Sequence, residues 1–113
     1  MNKPLVSVCI PTYNDAKIIA HTLESVLNQT YKNIEIIVSD NCSTDHTYDI
    51  VNEYAKKDKR IKFFKMDENM GPVENWKNCF LHSTGEYIKF LWSDDYIDLD
   101  FIEKALNIFD DDI

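Results

Sequence analysis

Three short polar segments carry the residue types that could do chemistry: Pro11-Thr12-Tyr13-Asn14, Asp40-Asn41-Cys42-Ser43-Thr44-Asp45 and Ser93-Asp94-Asp95-Tyr96. Adjacent carboxylates such as Asp94 and Asp95 repel one another unless a cation offsets their charge. Hard divalent ions prefer such oxygen ligands and complete their shell with water and substrate phosphates. The plain alternative is a helix-capping turn ahead of Asp98 with both carboxylates in water; two other polar loops nearby favour the metal. Asp40 also has two readings, an Asx turn or cap ahead of the next helix, or an acceptor for a base or ribose donor. Tyr13 is either an ordinary surface aromatic or a face on which a base stacks. Asp45, Ser43 and Thr47 read as capping residues. His21, His46 and His82 have no spacing relation to an acid or nucleophile and receive no chemistry.

The elements that must position these loops alternate in period. Leu5–Ile10 is an apolar run stopped by Pro11 and reads as a buried strand. Ile18, Ile19, Leu23, Val26 and Leu27 then fall on one helical face, capped by Asn14 or Asp15. Ile34–Ser39 is a β-branched strand. Ser43 caps the next helix, whose face is Tyr48, Val51, Tyr54 and Ala55, and Ile61–Phe64 is a third strand. Pro72 suits a first helical position, and Val73, Trp76, Phe80 and Leu81 mark the inward face of that helix, with Trp76 in the core. Gly85 ends it as a C′ glycine. Tyr87–Trp92 is a fourth strand, and Asp98 opens a last helix carrying Phe101, Ile102, Ala105, Leu106 and Phe109. This order predicts an α/β fold built from right-handed parallel crossovers. In such sheets ligands bind beyond the carboxyl ends of the strands, where all three polar loops fall.

The 113 residues allow one domain, with 44% hydrophobic residues for its core. The formal net charge of −8 argues against nucleic acid, whose binding draws on Lys and Arg to release counterions. The densest basic cluster, Lys56, Lys57, Lys59 and Arg60, reads as a solvated helix end. Only Gly71 and Gly85 are present, so neither a dinucleotide fingerprint nor a P-loop exists. Cys9, Cys42 and Cys79 lack zinc or redox spacing, which fits a reducing, cytoplasmic setting, and Cys9 reads as a small buried hydrophobe. No signal-peptide pattern and no membrane-spanning apolar run is found.

Four motifs, Val6–Asn14, Ile36–Asp45, Asn69-Met70-Gly71 and Gly85–Asp95, resemble those of the family 2 glycosyltransferases, in that family's order and spacing over residues 5 to 109. The resemblance implies that residues 1–113 form a Rossmann-like half-domain of the GT-A fold, a mostly parallel sheet of about four strands with flanking helices. It implies a nucleotide-sugar donor, most commonly of uridine, and a divalent cation, Mn2+ or Mg2+. Pro11, Thr12, Tyr13, Asn14 and Asp40 would then hold the base and ribose, with Asp40 on the base edge. Asn69 and Gly71 would border the nucleotide, and Asp94 and Asp95 would carry the metal that bridges the diphosphate. Glu74–Asn78 resembles an asparagine-tryptophan variant in which Lys77 either adds positive charge near the diphosphate or faces solvent. Trp92 stands where many members carry an acid.

The same resemblance places the general base of inverting transfer, and the saccharide acceptor site, beyond this chain. The chain by itself is expected to bind donor without turnover, in the cytoplasm or at the inner membrane face, and to self-associate through an exposed sheet edge. A nucleotide-binding module without transferase activity is the alternative. A receiver-like signalling domain suits the length, but it would place acids where Pro11–Asn14 stand.

Overall fold

Strict alternation of side chains along two central strands decides how the layers form. Val6, Val8 and Ile10 of the first, with Ile34, Ile36 and Val38 of the second, turn to one face and are buried there. Cys9 and Ile37 turn to the other. The computed structural model describes residues 3–93, 95 and 97–111. Its elements are β1 (Val6–Thr12), α1 (Ile19–Leu27), β2 (Ile34–Asp40), α2 (Thr47–Lys57), β3 (Ile61–Lys65), α3 (Pro72–His82), β4 (Tyr87–Phe90) and α4 (Phe101–Asp111). The alternation of strand and helix is the one expected.

The strands pair in parallel in the order β3-β2-β1-β4. The chain winds outward from β1 to β3, then crosses back past β1 to lay down β4. Ile19, Leu23 and Val26 of α1, Val51 of α2 and Ile102 of α4 cover the first face. Burying each such aliphatic side chain contributes roughly 1.5–3 kcal/mol. Cys79 of α3, flanked by Phe64 and Phe90, covers the second face.

Several local expectations are corrected. β1 does not stop at Pro11 but continues to Thr12, with Pro11 in register with Ser39. The paired span of β4 reaches only Cys9 on β1, so the missing N–H of Pro11 falls where one flank of β1 has no partner strand. β4 itself ends at Phe90, and Leu91 and Trp92 lie beyond it. On α3 the inward residues are Asn75 and Cys79, whereas Val73, Trp76, Phe80 and Leu81 are exposed. Trp76 is not core; it lies tilted against Phe90 with ring centroids 4.5 Å apart. Polar atoms won over apolar ones on that face because Ser39 of β2 needs partners: it donates to Asn75 Oδ1 at 2.7 Å and accepts from Asn78 Nδ2 at 2.9 Å. Gly85 is no helix cap. A Cβ there would lie 2.7 Å from the Leu5 carbonyl and the Ser7 amide, so glycine is required by close approach to β1.

At the amino end of the sheet, Glu35 is buried and accepts hydrogen bonds from Ser7 Oγ (2.5 Å), Lys62 Nζ (2.7 Å) and the Thr84 amide (2.6 Å). Burial alone would raise its pKa, but Lys62 and the hydroxyl and amide donors outweigh it and hold the carboxyl at about 2.

Candidate functional site

The winding reverses between β1 and β4, and such a reversal opens a crevice at the carboxyl ends of the strands. A cavity of about 660 Å³ lies there, lined by residues from the loops after β1, β2 and β4 and from the start of α3, a size suited to a small organic ligand.

The β1 loop is shaped by Asp15, which sequence reasoning offered only as a cap. α1 has no side-chain cap. The Asp15 carboxylate accepts instead from Thr12 Oγ1 (2.8 Å), the Tyr13 amide (3.1 Å) and Ser93 Oγ. Tyr13 therefore stands at a fixed place on the cavity wall, with its side chain partly in solvent. Asn14 adopts a left-handed φ of 51° and ties this loop to the next, accepting from the Thr44 amide at 2.8 Å and donating its own amide to Ser43 Oγ at 2.9 Å.

Asp40 ends β2 fully buried, accepting from the Ser43 amide at 3.1 Å and from the Ser43 hydroxyl. Ser43 is thus the partner of Asp40 and not the cap of α2. Asp45 takes the capping role, accepting from the Thr47 amide at 2.9 Å and the Thr47 hydroxyl at 2.5 Å. Burial opposes ionisation of Asp45, but these bonds and one from the Ala16 amide prevail and lower its pKa. Asn41 and Asn69 join across loops: Asn41 Nδ2 donates to Asn69 Oδ1 at 2.9 Å, and Asn41 Oδ1 accepts from the Met70 amide at 2.9 Å. Gly71, at φ 89°, makes the sharp entry into α3 and donates to Asn69 Oδ1.

From α3, buried Asn75 reaches beneath the cavity and donates to the Thr12 carbonyl at 3.2 Å. From the far side, Ser93 is held by the Thr22 hydroxyl, which donates to its carbonyl at 2.6 Å. The Asp95 amide closes a turn on the Trp92 carbonyl at 2.9 Å.

Among the sequence-selected residues, Pro11, Thr12, Tyr13, Asn69 and Asp95 line this cavity. Asn14, Asp40 and Gly71 do not line it but brace the loops that do. Lys77 is exposed on α3, 3.5 Å from Glu74, and is not part of the wall. Asp94 lies outside the described residues. Sequence reasoning passed over Asp15, Asn41, Asn75 and Trp92 as wall residues. The resemblance of Glu74–Asn78 to an asparagine-tryptophan variant was the available signal for Asn75.

The described wall carries two carboxylates, Asp15 and Asp95, and no lysine or arginine. Hard oxygen donors of this kind fit Mn2+ or Mg2+. Among the described residues no group of three His, Cys, Asp or Glu side chains could hold an ion unaided, so an ion here would take part of its shell from water and ligand.

Residues 7–112 match the family described as Glycosyl transferase family 2. The E. coli protein named UDP-Glc:alpha-D-GlcNAc-diphosphoundecaprenol beta-1,3-glucosyltransferase WfaP is 50% identical over 93 residues, which cover 81% of this chain and 36% of that protein. A crystal structure of S. aureus TarS in complex with UDP superposes with a TM-score of 0.88 at 34% identity, over 94% of this chain and 32% of that one. The mannosyltransferase PcManGT from Pyrobaculum calidifontis, in complex with GDP-Man and Mn2+, gives a TM-score of 0.85 at 27% identity, over 93% of this chain and 32% of that one. The chain spans less than half the length of the curated relatives it matches. No helix among the described residues is long and apolar enough to cross a membrane. With its parallel sheet and its cavity at the winding reversal, the fold is that of the GT-A enzymes, and the chain belongs to glycosyl transferase family 2.

Proposed function

We propose that this chain is the donor-binding part of an inverting glycosyltransferase that takes a UDP-sugar with Mn2+ or Mg2+ and serves a membrane-linked saccharide acceptor at the cytoplasmic membrane face. The observation that carries the reading is the cavity wall itself: an aromatic face, asparagine amides and carboxylates, with no described protein cation. Such a wall repels a diphosphate unless a metal intervenes. The UDP of the TarS complex and the Mn2+ of the PcManGT complex support the two ligands. The printed name of WfaP supports the acceptor class.

In this reading Tyr13, with Pro11 and Thr12, forms the base and ribose side, and Asn14 and the buried Asp40 serve it from behind by bracing the loops after β1 and β2. Asn69 and Gly71 border the nucleotide. Asp94 and Asp95 would hold the ion, which when bound stabilises charge developing on the nucleoside diphosphate leaving group. Lys77, paired with Glu74, faces solvent. The acceptor hydroxyl needs a general base. Both described carboxylates of the wall serve the donor side in this reading, which leaves the base to be supplied from beyond this wall.

Calorimetric titration of UDP, with Mn2+ and then with EDTA, tests this. Metal-dependent binding that Asp95→Ala reduces by at least about tenfold is the expected result. A folded chain that ignores UDP in both conditions refutes the reading.

A further inference from the structure

Asp15 lines the cavity and contacts both of its lips. Its carboxylate accepts from Thr12 Oγ1 and the Tyr13 amide on the β1 side and from Ser93 Oγ on the β4 side, across 78 residues of sequence. Ser93 is in turn fixed to α1 through the Thr22 hydroxyl, and the Asp95 turn starts one residue before Ser93, at Trp92. β1 and β4 have no paired residues beyond Cys9 and Phe90. The Leu91 amide still donates to the Cys9 carbonyl at 2.9 Å; beyond that bond, among the described residues, the two lips are joined by side chains, Asp15 to Ser93.

We propose that Asp15 is the positioning residue of this site: it clamps the Tyr13 loop to the Ser93–Asp95 loop, so that the nucleoside side and the diphosphate side of the cavity are set as one unit. The inference rests on the donor-site reading above. Asp15 acts here through Thr12, Tyr13 and Ser93. A carboxylate shared by three donors holds a narrower geometry than any one neutral hydrogen bond, because each charge-assisted bond is shorter and stronger. Binding energy gained at Tyr13 then depends on where Asp95 stands, and the reverse.

The test separates a clamp from a metal ligand and from a merely structural group. Affinities for uridine, and for UDP with Mn2+ and with EDTA, are measured on the wild-type chain and on Asp15→Ala, Asp15→Asn, Ser93→Ala and the Asp15→Ala/Ser93→Ala double variant, each checked for folding by thermal unfolding. A clamp predicts that Asp15→Ala and Ser93→Ala each reduce the metal enhancement of UDP binding about tenfold, and that the double variant loses no more than either single. Asp15→Asn, whose amide oxygen can still accept from Ser93, keeps most of the enhancement, and Ser93→Ala lowers uridine affinity by less than it lowers the metal enhancement. Additive losses, or an unchanged enhancement in folded variants, overturn the clamp. Loss in Asp15→Asn with none in Ser93→Ala overturns it in favour of a carboxylate acting on the ion directly. If Asp15→Ala does not fold, Ser93→Ala and Asp15→Asn decide alone. A wild-type chain that binds no UDP removes the donor-site reading itself, a result distinct from any of these.

Discussion

Two buried carboxylates stand at opposite ends of β2, and their surroundings assign them different work. Glu35 is saturated by Ser7, Lys62 and Thr84, so it pins β1, β3 and the approach to β4 onto β2. Its pKa is depressed from 4.5 to about 2. A carboxylate depressed in this way contributes stability that is complete above pH 4.5 and lost as pH falls towards 2. Urea unfolding across that window is expected to show falling stability in the wild type and a flatter profile in Glu35→Gln, which starts about 2 kcal/mol less stable at neutral pH. Asp40 accepts from the Ser43 amide and hydroxyl and so braces the loop after β2 behind the cavity. Tyr13 and Asp95 were legible as members of polar motifs at strand ends, and Asn69 only through the family resemblance. Asp15 and Asn75 were not: the partners that give them meaning, Ser93 and Thr12, lie 78 and 63 residues away, and locally an aspartate before a helix looks like a cap.

Hydrophobic periodicity found every described helix and strand, yet it misread which side of α3 is buried. The periodic signal there, Val73, Trp76, Phe80 and Leu81, belongs to a real apolar stripe, but that stripe faces outward, with Leu81 76% exposed. The inward side is short and polar because it completes the hydrogen bonds of Ser39 and Thr12. The two glycines likewise serve needs that spacing cannot distinguish. Gly85→Ala drives a methyl group into the backbone of β1 and is expected to cost at least about 2 kcal/mol in thermal or urea unfolding. Gly71→Ala meets open space but must hold a φ of 89°, and is expected to cost about 1 kcal/mol.

Alternation of elements predicts a parallel sheet but not the order of its strands, since several orders satisfy right-handed crossovers. The order β3-β2-β1-β4 leaves the outer edge of β4 unpaired among the described residues, next to the exposed stripe of α3. An open edge beside apolar surface recruits other chains. Sedimentation is expected to show mass rising with concentration, and Phe80→Glu, on the exposed side of α3, is expected to shift the distribution to monomer without lowering the melting temperature.

The pairing of β1 with β4 has a kinetic consequence as well. β1, β2 and β3 are joined through neighbouring crossovers, whereas Val6 meets Tyr87 only after a loop of about 80 residues has closed. Distant pairings of this kind form late and slowly. The cavity straddles that last seam, so the ability to take up a ligand arises only when the final strand docks. Ligand capture during refolding would therefore time the completion of the fold rather than its beginning.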